Sequence, residues 1–218
     1  VSVDISQDGL VSLGIQEATA HKVLDADGQP ITHQLRHTGS IQAAGGKVLI
    51  HAKAADQLFK SVINLEGKVE ITKAVVGADG VVELVAEGGI TANSNVQAGE
   101  GTIRFSSTGS IELQGNYEAP QGEVLIQSGE DIRIVGRTLT SGNTTFMARG
   151  NISVESDLTT QAGNLTLHAD SDLDGLGAYL QMPGTTVSTV TFGDITISSS
   201  GESTLANIDS AGDLYLRK

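Results

Sequence analysis

A short motif recurs along the whole 218-residue chain: a glycine followed by aliphatic residues at alternate positions, Gly-x-φ-x-φ, where φ is aliphatic. Each copy has the period-two pattern of a half-buried strand, and the glycine marks the turn before the strand. The copies begin at Gly39, Gly46, Gly67, Gly80, Gly101, Gly109, Gly122, Gly150, Gly193 and Gly212. The motif therefore predicts an all-β chain built from many short strands.

Larger units are evenly spaced in the middle of the chain. Alignable units begin at Gly89, Gly109, Gly129 and Gly150. The nearly equal steps between these glycines indicate a structural repeat of about 20 residues. Between the last two units, Ile132 and Ile134 align with Ile152 and Val154, Leu139 aligns with Leu158 across a small gap, and Met147 aligns with Leu167.

This period predicts a parallel β-solenoid, in which each coil stacks on the previous one at about 4.8 Å and buries its aliphatic face. Nine or ten coils would form a rod of roughly 45 Å. We expect a single domain over residues 1–218. An ordinary β-sandwich is the alternative that the period does not favour.

Two segments interrupt the repeat. Over residues 54–64 the apolar residues follow helical spacing, at Ala55, Leu58, Phe59, Val62 and Ile63. This predicts a short flanking helix that packs on the solenoid, with a groove for a partner as the alternative. Residues 170–183 form the second interruption, an acidic loop insertion.

Composition excludes several functional classes. The formal net charge is −13, which excludes nucleic acid as a partner because phosphates require a basic face. Cysteine is absent, so there are no disulfides, thiolate zinc sites or cysteine nucleophiles. The aliphatic runs are far shorter than a membrane span requires, so we expect no membrane insertion.

The acidic insertion contains the clearest candidate metal site. Asp170, Asp172 and Asp174 alternate and are followed by Gly175, like the first half of a calcium loop. A complete EF-hand-like loop would need a carboxylate at the position of Gln181, so backbone carbonyls or water would have to complete the shell. No cofactor is required; calcium is the candidate, and a solvated acidic turn is the alternative.

Two other groups of residues have both a functional and an ordinary surface interpretation. An enzyme acting on polysaccharides would use clustered acids and arginines, here Asp131, Arg133, Arg137, Glu112 and Glu130. We expect these to be surface residues and the protein not to be an enzyme. Rows of threonines on one flank could form a binding surface, but we expect these threonines simply to occupy outward-facing strand positions. They are Thr138, Thr140, Thr144, Thr145, Thr159 and Thr160.

Three passages resemble the filamentous haemagglutinin family of exported bacterial adhesins. The first runs from Gly45 to Glu70 (Gly-Gly, a strand, the predicted helix, then Ser-Val-Ile-Asn-Leu-Glu-Gly-Lys-Val-Glu). The second is Leu165–Gly177, LTLHADSDLDGLG, and the third combines residues 193–197 with residues 205–214. The likeness covers roughly residues 39–216.

This resemblance implies a right-handed parallel β-helix that serves as the shaft of a large secreted bacterial adhesin. The implied location is extracellular, at the bacterial cell surface, with export through an outer-membrane secretion partner. The partners would be glycans or proteins of host or bacterial cell surfaces or of the matrix. The family's Asn-Pro-x-Gly secretion motif does not occur, so the chain is interpreted as shaft.

The remaining alternatives concern what the chain is part of. It begins with Val1 and has no signal-peptide pattern, so we expect a processed product or a segment of a larger protein. The main functional alternative is a subunit that polymerises with copies of itself, end to end, into an extracellular filament or sheath.

Overall fold

The chain is seen here in a computed structural model that describes residues 2–5, 10–14, 24–44, 47–53, 61–72 and 80–218. These residues form twenty strands of one sheet, and the described ranges contain no helix. The strands are β1 (Ser2–Ile5), β2 (Leu10–Gly14), β3 (His33–His37), β4 (Ser40–Ala44), β5 (Lys47–Lys53), β6 (Ser61–Leu65), β7 (Lys68–Thr72), β8 (Val81–Glu87), β9 (Ile90–Gln97), β10 (Thr102–Ser107), β11 (Ile111–Ser128), β12 (Ile132–Ala148), β13 (Ile152–Val154), β14 (Leu158–Thr160), β15 (Leu165–His168), β16 (Tyr179–Gln181), β17 (Thr186–Thr189), β18 (Ile195–Ser198), β19 (Asn207–Asp209) and β20 (Leu214–Arg217).

The pairings sort these strands into three parallel ladders, which the chain visits in turn. Ladder A contains β3, β6, the start of β9, β11 and β12, then β13 and β16. Ladder B contains β4, β7, the later parts of β9, β11 and β12, then β14, β17 and β19. Ladder C contains β2, β5, β8, β10, the ends of β11 and β12, then β15, β18 and β20. One passage through A, B and C is called a coil below.

This topology is all-strand and dominated by parallel pairing, as a β-solenoid-like class requires. In ladder A, Ile90 pairs with Ile111, Ile111 with Ile132, and Ile132 with Ile152. In some other coils the partners lie further apart in sequence, because loops are inserted between strands. Ile152, for example, pairs with Tyr179. The antiparallel face-to-face sheets of a sandwich are not the arrangement of these ladders.

Stacking of like residues in successive coils builds the core. One interior row of ladder A is almost entirely aliphatic, and every member is buried: Leu35, Ile63, Ile90, Ile111, Ile132, Ile152 and Tyr179. Every second side chain along a strand points to this interior. The aliphatic residues of the Gly-x-φ-x-φ motif therefore stack into a continuous apolar column.

Side-chain oxygens at the corners tie each coil to the next. The Oδ1 atom of Asn143 accepts the backbone N–H of Asn164 (3.1 Å), and Oδ1 of Asn164 accepts that of Asp194 (2.9 Å). Oδ1 of Asp194 in turn accepts the N–H of Asp213 (2.8 Å). These residues form a row of asparagine and aspartate side chains, which accept hydrogen bonds from backbone N–H groups just outside the strands.

The sequence predicted that six threonines face outward, and this prediction is wrong for four of them. Thr138, Thr140, Thr144 and Thr160 are buried in the interior, and only Thr145 and Thr159 are partly exposed. The hydroxyls of Thr140 and Thr160 lie 2.8 Å apart in neighbouring coils. A threonine can take an interior position because its hydroxyl finds a partner inside the same stack.

The predicted interruptions are also corrected. Residues 54–60 of the predicted helix lie outside the described residues, but Ser61–Leu65 is a strand, in which Ile63 pairs with Leu35 and Ile90. The insertion predicted over 170–183 contains the strand Tyr179–Gln181, because these residues stack on Ile152–Val154.

The alignment of units read from the sequence is correct in ladder A and wrong by one residue elsewhere. Ile132 and Ile134 pair with Ile152 and Val154, as predicted. In ladder C, however, Phe146 rather than Met147 pairs with Leu167. Among the residues that the structure describes, no helical segment could span a bilayer.

Candidate functional site

The acidic loop begins where ladder C ends in the coil that contains β15. Asp170 is buried and has a left-handed backbone (φ 57°). Its two carboxylate oxygens accept the backbone N–H groups of Asp174 and Gly175, both at 3.0 Å. Asp174 in turn accepts the N–H of Leu176 (2.9 Å). Asp170 is therefore the residue that closes this loop on itself.

These hydrogen bonds stabilise the ionised form of Asp170. The Ser200 side chain donates to it, as do the N–H groups of Gly175 and Asp174, and together they hold the pKa of Asp170 below its ordinary value of 3.8. Burial of the carboxyl opposes this effect. The loop thus contains an inward carboxylate that stays charged at neutral pH.

The three predicted ligands lie together. One carboxylate oxygen from each of Asp170, Asp172 and Asp174 lies within 4.8 Å of the others. Two oxygens on opposite sides of a calcium ion at about 2.4 Å would have this separation. Asp172 and Asp174 are exposed, whereas Asp170 already accepts two backbone donors.

The residue at the twelfth position of an EF-hand-like loop does not face the acidic cluster. Gln181 is buried, and its Nε2 donates to the carbonyl oxygens of Thr185 (3.1 Å) and Asn207 (2.9 Å). Its Oε1 accepts the N–H of Ala206 (3.1 Å) and the hydroxyl of Tyr179 (3.2 Å). Gln181 therefore stabilises the interior of the last coils.

The residues of the hypothetical polysaccharide-cleaving site are instead paired between coils. Arg133 binds both carboxylate oxygens of Glu155 (2.9 and 3.1 Å) and one oxygen of Glu112 (3.2 Å). Asp131 accepts the backbone N–H of Asn151 (2.7 Å), and Glu130 accepts the hydroxyl of Ser110 (2.9 Å). The hydrogen bond with Glu155 is the main reason that the pKa of Arg133 rises. Arg137 is exposed.

Sequence reasoning missed a groove that runs across the coils at the downstream edge of ladder C. Its volume is about 400 Å³, and it extends from Glu87 past Thr108, Gly129 and Arg149 to Ser171. These residues occupy equivalent corners of successive coils, so they recur in the sequence with the period of the repeat. The sequence therefore contained a signal for the groove, namely this periodic recurrence, but it can be recognised only once the strand register is known.

Comparisons with known proteins gave no relative from which a function could be transferred. No family model, no curated protein and no solved structure matches this chain. Function must therefore be argued from the chain's own residues.

Proposed function

We propose that this chain is a shaft segment of a large secreted bacterial surface protein similar to filamentous haemagglutinin. The shaft would be a right-handed parallel β-helix whose basic coil has about 20 residues, a length typical of solenoid repeats. The observation that carries this proposal is the stacking of ladder C, in which nine strands follow one another and all eight junctions are parallel.

Several properties of the ladders suit a mechanical role. Nine strands at about 4.8 Å give a rod of roughly 38 Å, held by backbone hydrogen bonds along its axis. Right-handedness is the rule for parallel strands joined by crossovers, and this supports the proposed hand. The net charge of −13 would keep neighbouring rods apart at low salt.

The residues of the enzyme alternative support a structural role. Glu112 and Glu155 flank Arg133, and Asp131 accepts a backbone N–H, so these carboxylates hold coils together. A general acid and a nucleophile would have to face an open space in which a substrate can sit. We therefore propose an adhesive and structural function without catalysis, at the extracellular surface.

One observation favours the second candidate, a subunit that polymerises end to end. The interior rows of ladder C reach Leu214 and Leu216 on β20, where these side chains are 45% and 55% exposed. Exposed apolar side chains beside an unpaired strand edge form a surface on which another copy can stack.

Antibodies against the folded chain would distinguish the two candidates. On source cells, a shaft segment predicts immunogold labelling of surface fibres and an immunoblot band far above 22.5 kDa. A polymerising subunit predicts a denatured band near 22.5 kDa together with end-to-end filaments under the electron microscope. Antigen found only inside cells would contradict both proposals.

Calcium binding by Asp170, Asp172 and Asp174 stays a prediction. The ion would neutralise the exposed carboxylates and raise the melting temperature of the chain. Thermal melts in millimolar calcium and in chelator test this, with magnesium and the Asp172→Asn variant as controls. If calcium does not shift the melt, or shifts that of the variant equally, the loop is a solvated acidic turn.

A further inference from the structure

We infer that the groove along the downstream edge of ladder C binds a carboxylated saccharide through Arg149. The inference deepens the proposed adhesive function and rests on it, because it names a ligand class for the shaft surface. The groove's shape, its charge, its hydrogen-bonding groups and the pairing of its strands each support this ligand class.

The middle of the groove is formed by a residue without a side chain, Gly129. The backbone N–H groups of Thr108, Gly129 and Arg149 bond to equivalent carbonyls one coil back, so the three residues form a row along the rod. A Cβ on Gly129 would collide with the carbonyl oxygen of Thr108. The centre of the row is therefore bare, between a hydroxyl on one side and a guanidinium on the other.

The lining of the groove contains one charge of each sign, Glu87 and Arg149. Glu87 at one end is paired with Lys53 (2.6 Å). Arg149, one coil before the other end at Ser171, is exposed, and no carboxylate of the described residues lies within ion-pair distance of it. Because Lys53, outside the groove lining, neutralises Glu87, the guanidinium of Arg149 is the lining charge left to bind an anion.

The neutral groups around Arg149 suit a ligand rich in hydroxyls. The Thr108 hydroxyl accepts the N–H of Gly88 (2.8 Å), which leaves its proton for a ligand. The side chains of Ser106 and Gln127 also line the groove, and the Val85 and Met147 side chains provide small apolar patches on which a sugar ring can lie. At about 400 Å³ the groove is at the small end of ligand sites, suited to one or two sugar rings.

Strand pairing disfavours an acidic peptide as the occupant. Extended peptides usually bind by adding a strand to a free sheet edge. The ladder C strands beside this groove, in β8, β10, β11 and β12, are paired on both sides. Only side-chain donors are left, and these match the carboxylate and hydroxyls of a uronic or sialic acid.

Titrations followed by NMR of the folded chain test this inference. Tetragalacturonate and sialyl-lactose represent the two sources of a saccharide carboxylate, and carboxyl-reduced tetragalacturonate and lactose are their neutral counterparts. We expect at least one acidic saccharide to bind about tenfold more tightly than its neutral counterpart. We also expect Arg149→Gln to weaken that binding about tenfold without changing the melting temperature.

Arg137→Gln is the matched control, since it removes an exposed arginine outside the groove. Equal loss in both variants would mean general charge attraction and would overturn the inference. So would equal binding of the neutral sugar, tighter binding of an acidic peptide, or no binding at millimolar concentrations. Unchanged adhesion by Arg149→Gln cells would overturn the inference alone, whereas saccharide binding by a chain that is not on the cell surface would overturn the proposed function alone.

Discussion

The buried Thr140–Thr160 pair provides a sharp test of the fold. Both side chains are fully buried, and their hydroxyl oxygens lie 2.8 Å apart across neighbouring coils. Thr140→Val keeps the shape and the β-branched side chain but leaves the Thr160 hydroxyl without its partner. The same reasoning applies to Thr160→Val.

The expected magnitudes follow from the cost of an unpaired buried polar group. Each single variant should lose about 2 kcal/mol of unfolding free energy, within a range of roughly 1–3 kcal/mol. For a chain of this length that lowers the melting temperature by about 4–8 °C. In the double variant both hydroxyls are gone and two methyl groups pack together, so its stability should return close to that of the native chain.

Equilibrium urea unfolding of the four proteins gives the coupling free energy, which should be about 4 kcal/mol in favour of the double variant if each single variant loses about 2 kcal/mol. Far-UV circular dichroism and tyrosine fluorescence should give coincident curves. The control pair is Thr145 and Thr166, which are also partners in neighbouring coils but are half-exposed. Their valine variants should be nearly neutral and additive. Neutral single variants at Thr140 and Thr160, or a double variant as unstable as the sum, would refute the interior assignment.

Three further predictions concern the loop, the corners and the tyrosines. In chelator at pH 7, Asp170→Asn should melt at a lower temperature than the native chain. Because folding lowers the pKa of Asp170, this difference in melting temperature should shrink as the pH falls below about 3.8. A difference that stays constant with pH would contradict the prediction. Gly175→Ala should cost about 1 kcal/mol from its positive φ alone, and Gly115→Ala should cost clearly more in the same urea assay, because a Cβ there also collides with a backbone carbonyl. Burial raises the pKa of Tyr117 and Tyr179, so stability should fall as the pH rises above 10, and the folded chain should show less tyrosinate absorbance than the unfolded chain at the same pH.

Sequence alone predicted the fold class because the inward face of most strands, above all in ladder A, is apolar. In ladder A the interior positions are Ile90, Ile111, Ile132 and Ile152, and the spacing of these residues can be read directly. Alternation with a glycine at the entry therefore identified the parallel stack. The helix prediction failed at Val62 and Ile63 for a related reason: a strand with consecutive buried residues matches part of a helical pattern.

What sequence could not supply was the register in ladders B and C. There Thr138, Thr140 and Thr144 occupy interior positions, so hydrophobicity no longer marks the inward face. The alignment then slipped by one residue, and such a slip exchanges inward and outward side chains. Arg149 and Thr108 were overlooked because their common row depends on that register, whereas the alternating aspartates of the loop are local and were found.

The two ends of ladder C bear on the choice between shaft and polymer. At β20 the edge and the side chains of Leu214 and Leu216 are open to another parallel strand. At the opposite end, β1 pairs with β2 in antiparallel orientation, with Ser2 opposite Gly14. A head-to-tail polymer needs both edges, because β20 of one copy must pair in parallel with β2 of the next. That edge of β2 is already occupied, so such a contact would first have to displace β1. The antiparallel pairing of β1 with β2 therefore disfavours the head-to-tail polymer.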